Sequence, residues 1–290
     1  MNYNELYSEK INLINKALSD YLNIIYPESI CEAMRYSIFP GGKRVRPIIL
    51  LSACEAFGGP VKAALPFACA LEMIHTYSLI HDDLPSMDND DIRRGKPTNH
   101  VVYGEATAIL AGDALLNLAY EIMSEHCLKN NAVHFFKAMS KIAKNAGIKG
   151  MIGGQVMDMA LENTAATAAQ IEYVYEYKTS KLFTAAFTAG AYIANAADTD
   201  IALLENIGRD LGIAFQLKDD LLDLYGNDEF GKPLGSDEKN KKSTYITVFG
   251  EEQTTAIYNQ LCSSAISKLK QLQNSGFLVA VAENLVNRTR

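Results

Sequence analysis

Apolar residues recur at three- and four-residue steps along most of this chain. Leu204, Ile207, Leu211, Ala214, Leu217, Leu221 and Leu224 form one such stripe, the spacing that lines up side chains on one face of an α-helix. No sustained two-residue alternation bounded by hairpin turns occurs, so strands are expected to be few or absent. The breaks are short and glycine-rich: Gly41-Gly42, Gly58-Gly59-Pro60, Gly153-Gly154 and Gly231 to Gly235. Arg46-Pro47-Ile48 opens an apolar helix that stops at Gly58-Gly59-Pro60, proline being favoured in a first helical turn. A second apolar helix is expected from near Phe67 to Asp82-Asp83, where Pro85 turns the chain away. From Tyr225 to Tyr245 the sequence is rich in Gly, Asp and Lys and reads as a long loop. No repeat, low-complexity tract or polar linker divides the chain. The pattern predicts one all-α domain spanning residues 1–290 with about ten or more helices.

Composition narrows the classes. With 290 residues, 48% hydrophobic and 21% charged, the chain can bury a large core. No continuous apolar run reaches the roughly 18 to 20 residues that span a bilayer, so no membrane span is expected. The N-terminus lacks the basic start, apolar middle and small-residue cleavage site of a secretory signal, which makes a cytoplasmic location the expectation. Cys31, Cys54, Cys69, Cys127 and Cys262 are odd in number and never paired as CxxC. They are expected to be buried thiols rather than a disulfide framework or a zinc site. A net charge of −7 provides no global field for nucleic acid, which is not expected as a partner. An anionic ligand would need a local basic patch or a bridging metal.

Two acidic clusters meet that condition. On a helix through Phe215 to Leu224, Gln216, Asp219, Asp220 and Asp223 share about a third of the circumference, with Lys218 on another arc. Carboxylates so placed repel one another. Either they form a solvated face or, if buried, they need a counter-charge such as a hard divalent cation. In the second cluster Asp82 and Asp83 end a helix, and Asp88, Asp90, Asp91, Arg93 and Arg94 follow in a short polar loop. The spacing excludes an EF-hand. Bridged by Mg²⁺, the two patches could grip a diphosphate from both sides.

The sequence Gly41-Gly42-Lys43-Arg44-Val45-Arg46-Pro47 places three cations before a helix N-terminus, a setting that favours an anion. Arg46 can hold phosphate oxygens bidentately. No GxxxxGK[ST] follows, so a nucleotide P-loop is unsupported. Lys178, Lys232 and Lys242 add scattered positive charge. His75 lies two turns before Asp82 on the same stripe, as a site residue or as a satisfied core histidine. No GxSxG elbow or zinc-protease spacing is present.

In this order the segments GGKRVRP (41–47), LEMIHTYSLIHDDLPSMDNDDIRRGKPT (71–98), GGQVMDM (153–159), YKTSKLF (177–183), FQLKDDLLD (215–223) and GKPLGSDEKNKKSTY (231–245) resemble the trans-isoprenyl diphosphate synthases, most closely the bacterial farnesyl diphosphate synthases. The resemblance implies an all-helical isoprenoid-synthase barrel around a deep cavity, a homodimer, and Mg²⁺ as cofactor with Mn²⁺ as a substitute. It implies that Asp82, Asp83, Asp88, Asp219, Asp220 and Asp223 hold the metal on an allylic diphosphate, which Arg93, Lys178 and Lys232 contact. Gly42, Lys43, Arg46, His75 and Arg94 would bind isopentenyl diphosphate, with Lys242 a further substrate contact. Lys178, Thr179 and Gln216 would be the catalytic set, with Gln155 beside them. Ile246 stands where the family usually has proline, outside the metal motifs.

In such enzymes an aromatic side chain below the first motif limits the product. Tyr77 and Ser78 precede Asp82 by five and four residues, roughly one helical turn. Ser78 lies directly beneath Asp82, whereas Tyr77 is about 140° round an ideal helix, so its ring must reach a cavity from the side. The implied product is the fifteen-carbon diphosphate, with the twenty-carbon one as the alternative within the chemistry. A non-catalytic synthase subunit, the alternative of another class, would be expected to lose motif aspartates, and all six are present.

Overall fold

The computed structural model of the chain describes residues 2–225 and 243–288. The first helix, α1 (Tyr3–Tyr21), is opened by a capping box in which the Asn2 side chain accepts from the Glu5 amide and Glu5 reaches back to the Asn2 amide. Helices α2 (Glu28–Ile38), α3 (Val45–Ala56) and α4 (Val61–Asp82) follow. The α4 helix begins earlier than the expected start near Phe67. Pro66 lies inside it, and the carbonyl four residues back belongs to the exposed Lys62, where water can satisfy it.

The acidic loop after α4 contains a two-stranded antiparallel hairpin, Ile92–Arg93 (β1) against Lys96–Pro97 (β2). Its central residues Arg94 (φ 54°) and Gly95 (φ 71°) both have positive φ, as a type I′ turn requires. Next come α5 (Asn99–Tyr103), α6 (Glu105–Asn130), α7 (Val133–Ala146), α8 (Met151–Ala160) and α9 (Ala168–Val174). A π-helical turn, Tyr175–Ser180, connects α9 to α10 (Lys181–Ile193), and α11 (Asp198–Tyr225) runs behind it. After the undescribed 226–242, α12 (Tyr245–Phe249), α13 (Glu251–Leu269) and α14 (Gly276–Val286) complete the chain.

The core lies where α4, α10 and α3 pack together, flanked by α6, α7 and α11. Phe67, Leu71, Met73, Phe183 and Phe187 are fully buried there, and all five cysteines are buried and free. Apolar side chains cover nearly every face of α4, so it needs neighbours on all sides. By length and average composition α4 and α6 are both apolar enough to cross a membrane, a property that core helices share. Glu72 and His75 interrupt the apolar residues of α4. Most of the apolar stretch of α4 is nevertheless enclosed by the fold.

Candidate active site

One large cavity, about 990 Å³, opens between α4, α6, α8, the π-helical turn and α11. That is the upper end of the range for small-molecule sites. Asp82 and Met87 line it from the first acidic segment, Asp219, Asp220 and Asp223 from α11, and Lys178, Thr179, Gln155 and Gln216 between them. Arg46, His75, Arg93, Arg94, Tyr77 and Ser78 line it too. The expected residues therefore converge, although they are up to 177 positions apart in the chain (Arg46 to Asp223).

At the C-terminus of α4 the chain folds back so that the Asp88 amide donates to the Asp82 carbonyl at 2.9 Å. Asp88 is not on the cavity lining, but it is close enough to help hold the charge on Lys178. Asp82 Oδ1 accepts from Gln155 Nε2 at 2.5 Å and lies 4.0 Å from Lys178 Nζ. Asp83 goes elsewhere. Its buried carboxylate accepts from Arg93 Nε at 2.6 and 2.8 Å and is also paired with Arg93 Nη2. The structure thus does not bring Asp83 into the cavity with the expected metal ligands, because a C-cap residue next to Asp82 points round the helix axis and the β1 strand delivers a guanidinium there. The hairpin also separates its two arginines: Arg93 meets Asp83, while Arg94 Nη1 donates to the Gly41 carbonyl at 2.7 Å.

The three cations of 43–46 divide in a similar way. Arg44 sits in the left-handed region (φ 46°) and turns inward, donating to Glu72 at 2.7 Å, Asn15 at 3.0 Å and the Ile38 carbonyl at 2.5 Å. With Arg44 anchored, Lys43 stays exposed and off the cavity lining, and Arg46 enters the cavity. Arg46 Nη1 is 3.3 Å from His75 Nε2, and its guanidinium lies 4.7 Å from the centre of the Phe183 ring. Its Nε is buried with no partner among the described residues. Burial, reinforced by the like charge of Arg94, lowers Arg46 to about 10. Burial and then Arg46 push His75 well below its ordinary value, so its imidazole is neutral and accepts from Arg46. Gly42 is exposed beside Arg94.

The π-helical turn owes its position to α8. A Cβ on Gly154 would lie 2.1 Å from the Lys178 amide nitrogen, so only glycine lets the two backbones come this close. Gln155 and Asp158 are thereby set beside Lys178, whose Nζ donates to Asp158 Oδ2 at 2.5 Å. Burial opposes the Lys178 charge, but Asp82 and Asp158 more than offset this and raise it to about 12. Thr179 Oγ1 donates to Gln216 Oε1 at 3.0 Å. The Tyr175 hydroxyl donates to Asp220 Oδ2 and accepts from the Tyr245 amide at 3.1 Å. Arg288 Nη2 donates to Asp219 Oδ1 at 2.6 Å, with its guanidinium 3.7 Å from the centre of the Phe215 ring. Burial raises Asp219, and Arg288 opposes that rise. Lys218 faces Tyr258, away from the acids.

Asp158, Tyr175, Glu72 and Arg288 were missed in the sequence. Asp158 had a signal, standing four residues after Gly154 in GGQVMDM. Tyr175 and Arg288 had none, since they meet their carboxylates across 45 and 69 residues. Lys232 and Lys242 lie outside the described residues.

The donor set suits Mg²⁺, being made of carboxylate oxygens on two walls of one cavity. Among the described residues no three His, Cys, Asp or Glu side chains close on a single point. That arrangement fits an ion whose shell is completed by water and a ligand's phosphates.

The chain is similar to known proteins over most of its length. The polyprenyl synthetase family profile matches residues 27–275. The farnesyl diphosphate synthase of Bacillus subtilis (strain 168) is 45% identical over 248 residues, 84% of each chain. The geranylgeranyl diphosphate synthase of Cyanophora paradoxa is 40% identical over 286 residues, 98% of this chain and 95% of its own. Among solved structures, the geranyltransferase of Helicobacter pylori, complexed with magnesium and isoprenyl diphosphate, superposes with a TM-score of 0.84 at 30% identity. The match covers 97% of this chain and 98% of that one.

Proposed function

On the premise that the chain belongs to the polyprenyl synthetase family and is a prenyltransferase with the all-α isoprenoid-synthase fold, we propose that it condenses isopentenyl diphosphate with dimethylallyl and then geranyl diphosphate to give farnesyl diphosphate. The observation that carries this reading is the sharing of one cavity by two carboxylate sets and a separate cationic cluster. Asp82 on one wall, with Asp88 in the loop behind it, and Asp219, Asp220 and Asp223 on the other would hold Mg²⁺ with the allylic diphosphate, Asp83 serving instead to orient Arg93. Mn²⁺ is the expected substitute. When bound, the metal neutralises the diphosphate and stabilises it as a leaving group.

Lys178, kept cationic by Asp82 and Asp158, and Arg93 would donate to the departing pyrophosphate. As the allylic C–O bond breaks, the Thr179 and Gln216 oxygens would face the carbocation. Arg46, Arg94, Lys43 and the neutral His75 would hold the second diphosphate. They would place its double bond to attack C1, so two anions meet in a fixed geometry. Loss of a proton to the released pyrophosphate completes the new double bond.

Tyr77 lines the cavity beside Ser78, which supports a short product. The Ser78 hydroxyl donates to the His75 carbonyl at 2.8 Å and is occupied by its own helix. The Cyanophora relative favours a second reading, a twenty-carbon product. The test is chromatography of dephosphorylated products from the purified chain with dimethylallyl and isopentenyl diphosphates and Mg²⁺. A fifteen-carbon alcohol is expected. A twenty-carbon main product transfers the reading to geranylgeranyl diphosphate, and no metal-dependent product overturns the condensation. A homodimer working in the cytoplasm as one polyprenyl synthetase domain completes the proposal. The free, buried thiols suit a reducing compartment, and sedimentation velocity tests the dimer.

A further inference from the structure

The cavity wall below the aspartates is built in layers that Tyr77 alone does not explain. Tyr77 is only 5% exposed, and one turn later on α4 the His81 ring meets it edge-on, with centroids 5.7 Å apart and planes at 81°. His81 also lines the cavity. Its Nε2 lies 3.0 Å from the Ile109 carbonyl of α6, to which it donates, and 3.9 Å from Asp113 Oδ1. This seat exists because residue 112 is glycine. A Cβ there would stand 2.1 Å from His81 Nε2, 2.5 Å from Cδ2 and 2.9 Å from Cε1. The imidazole therefore occupies the space that any side chain on residue 112 would fill. With α6 behind it and Tyr77 at its edge, the open direction for the ring is into the cavity.

We propose that His81, seated over Gly112 and hydrogen-bonded to Ile109, is a specificity-determining residue that fixes the Tyr77 ring and so sets how long a prenyl tail the cavity accepts. The inference rests on the chain-elongation reading above and concerns the depth of the same cavity. An imidazole clamped from behind gives Tyr77 one position. With the clamp gone, the ring has room to swing and the floor deepens. With the notch filled, the imidazole is pushed forward and the floor rises.

Because His81 adjoins Asp82, a change in rate alone does not separate a specificity role from damage to the metal site. The measurement is therefore a ratio, kcat/KM for farnesyl over geranyl diphosphate as allylic substrate, together with product length. In His81→Ala the ratio is expected to rise about tenfold, the scale on which a hydrophobic pocket resolves small changes in fit, and twenty-carbon product to appear. In Gly112→Ala the ratio is expected to fall by about the same factor, with geranyl diphosphate released. The double variant His81→Ala/Gly112→Ala, in which the clash has no partner, should recover a ratio near that of His81→Ala. If Tyr77→Ala lengthens the product while His81→Ala leaves both ratio and length unchanged, Tyr77 stands alone and the inference fails, although the synthase reading survives. If the unaltered chain forms no prenyl diphosphate, the underlying reading fails first.

Discussion

Gly154→Ala tests the central claim about the site, that close approach of two backbones sets the position of Lys178. The added Cβ would lie 2.1 Å from the Lys178 nitrogen, 2.6 Å from its Cα and 2.6 Å from the Tyr177 carbonyl carbon. All three are main-chain atoms, so no rotamer change relieves the overlap. Ordinary contact begins near 3.4 Å, and α8 must separate from the π-helical turn by roughly 1 Å to reach it. Overpacking of this kind costs about 1–3 kcal/mol of stability. The catalytic loss should be larger, because Gln155 and Asp158 move with α8 while Lys178 and Thr179 stay with the turn. A misplacement of about 1 Å at a reacting centre costs on the order of 100-fold in rate. The assay is steady-state kcat and KM with geranyl and isopentenyl diphosphates, alongside circular dichroism and a melting curve to show that the variant is folded. A folded variant within about threefold of the parent kcat/KM would refute the reasoning.

Three other perturbations probe different layers. Glu72→Ala strands the Arg44 guanidinium, whose side chain is only 2% exposed. It should cost about 3–5 kcal/mol in urea unfolding, whereas Arg44→Met/Glu72→Leu should recover most of that loss; a single variant within about 1 kcal/mol of the parent contradicts the buried pair. Tyr77→Phe removes a hydroxyl that is buried without a partner among the described residues, so product length should be unchanged and the melting temperature equal or higher. A lower melting temperature would mean that the hydroxyl is bonded. His75 is held well below its ordinary value by burial and then Arg46, so acid protonates the unfolded chain there before the folded one. Stability linked to His75 is therefore complete above about pH 6.5 and lost as pH falls below it. His75→Asn should flatten that decline, read as urea midpoints at about pH 7.5 and about pH 5. An equally steep decline would place the proton elsewhere.

Periodicity and punctuation made most of the helices legible. The stripe from Leu204 to Leu224 falls within one helix, α11, and Arg46-Pro47 to Gly58-Gly59 frames α3. The site residues were legible as types, because acids and bases that would be costly apart are informative when they recur on several helices. Sequence spacing could not say which partner each neighbour of a pair takes. Asp82 and Asp83 differ by one position, and so do Arg93 and Arg94, yet each pair splits. One split follows from the 100° step of a helix end and the other from a hairpin turn with two positive φ angles. Arg44 was read together with Lys43 and Arg46 as part of one basic turn, and its left-handed backbone makes it the turn's anchor instead. The ideal helical wheel set Tyr77 about 140° away from Asp82. The structure lets its ring reach the cavity from the side, because the cavity is wide and α6 closes that flank. Arg288 and Tyr175 show the limit from the other direction. Each touches a motif aspartate only after the chain has folded, and a long-range pairing of single residues leaves no local pattern to read. The aspartates announce themselves by being expensive to bury together. The groups that aim them are ordinary residues until the fold brings them near.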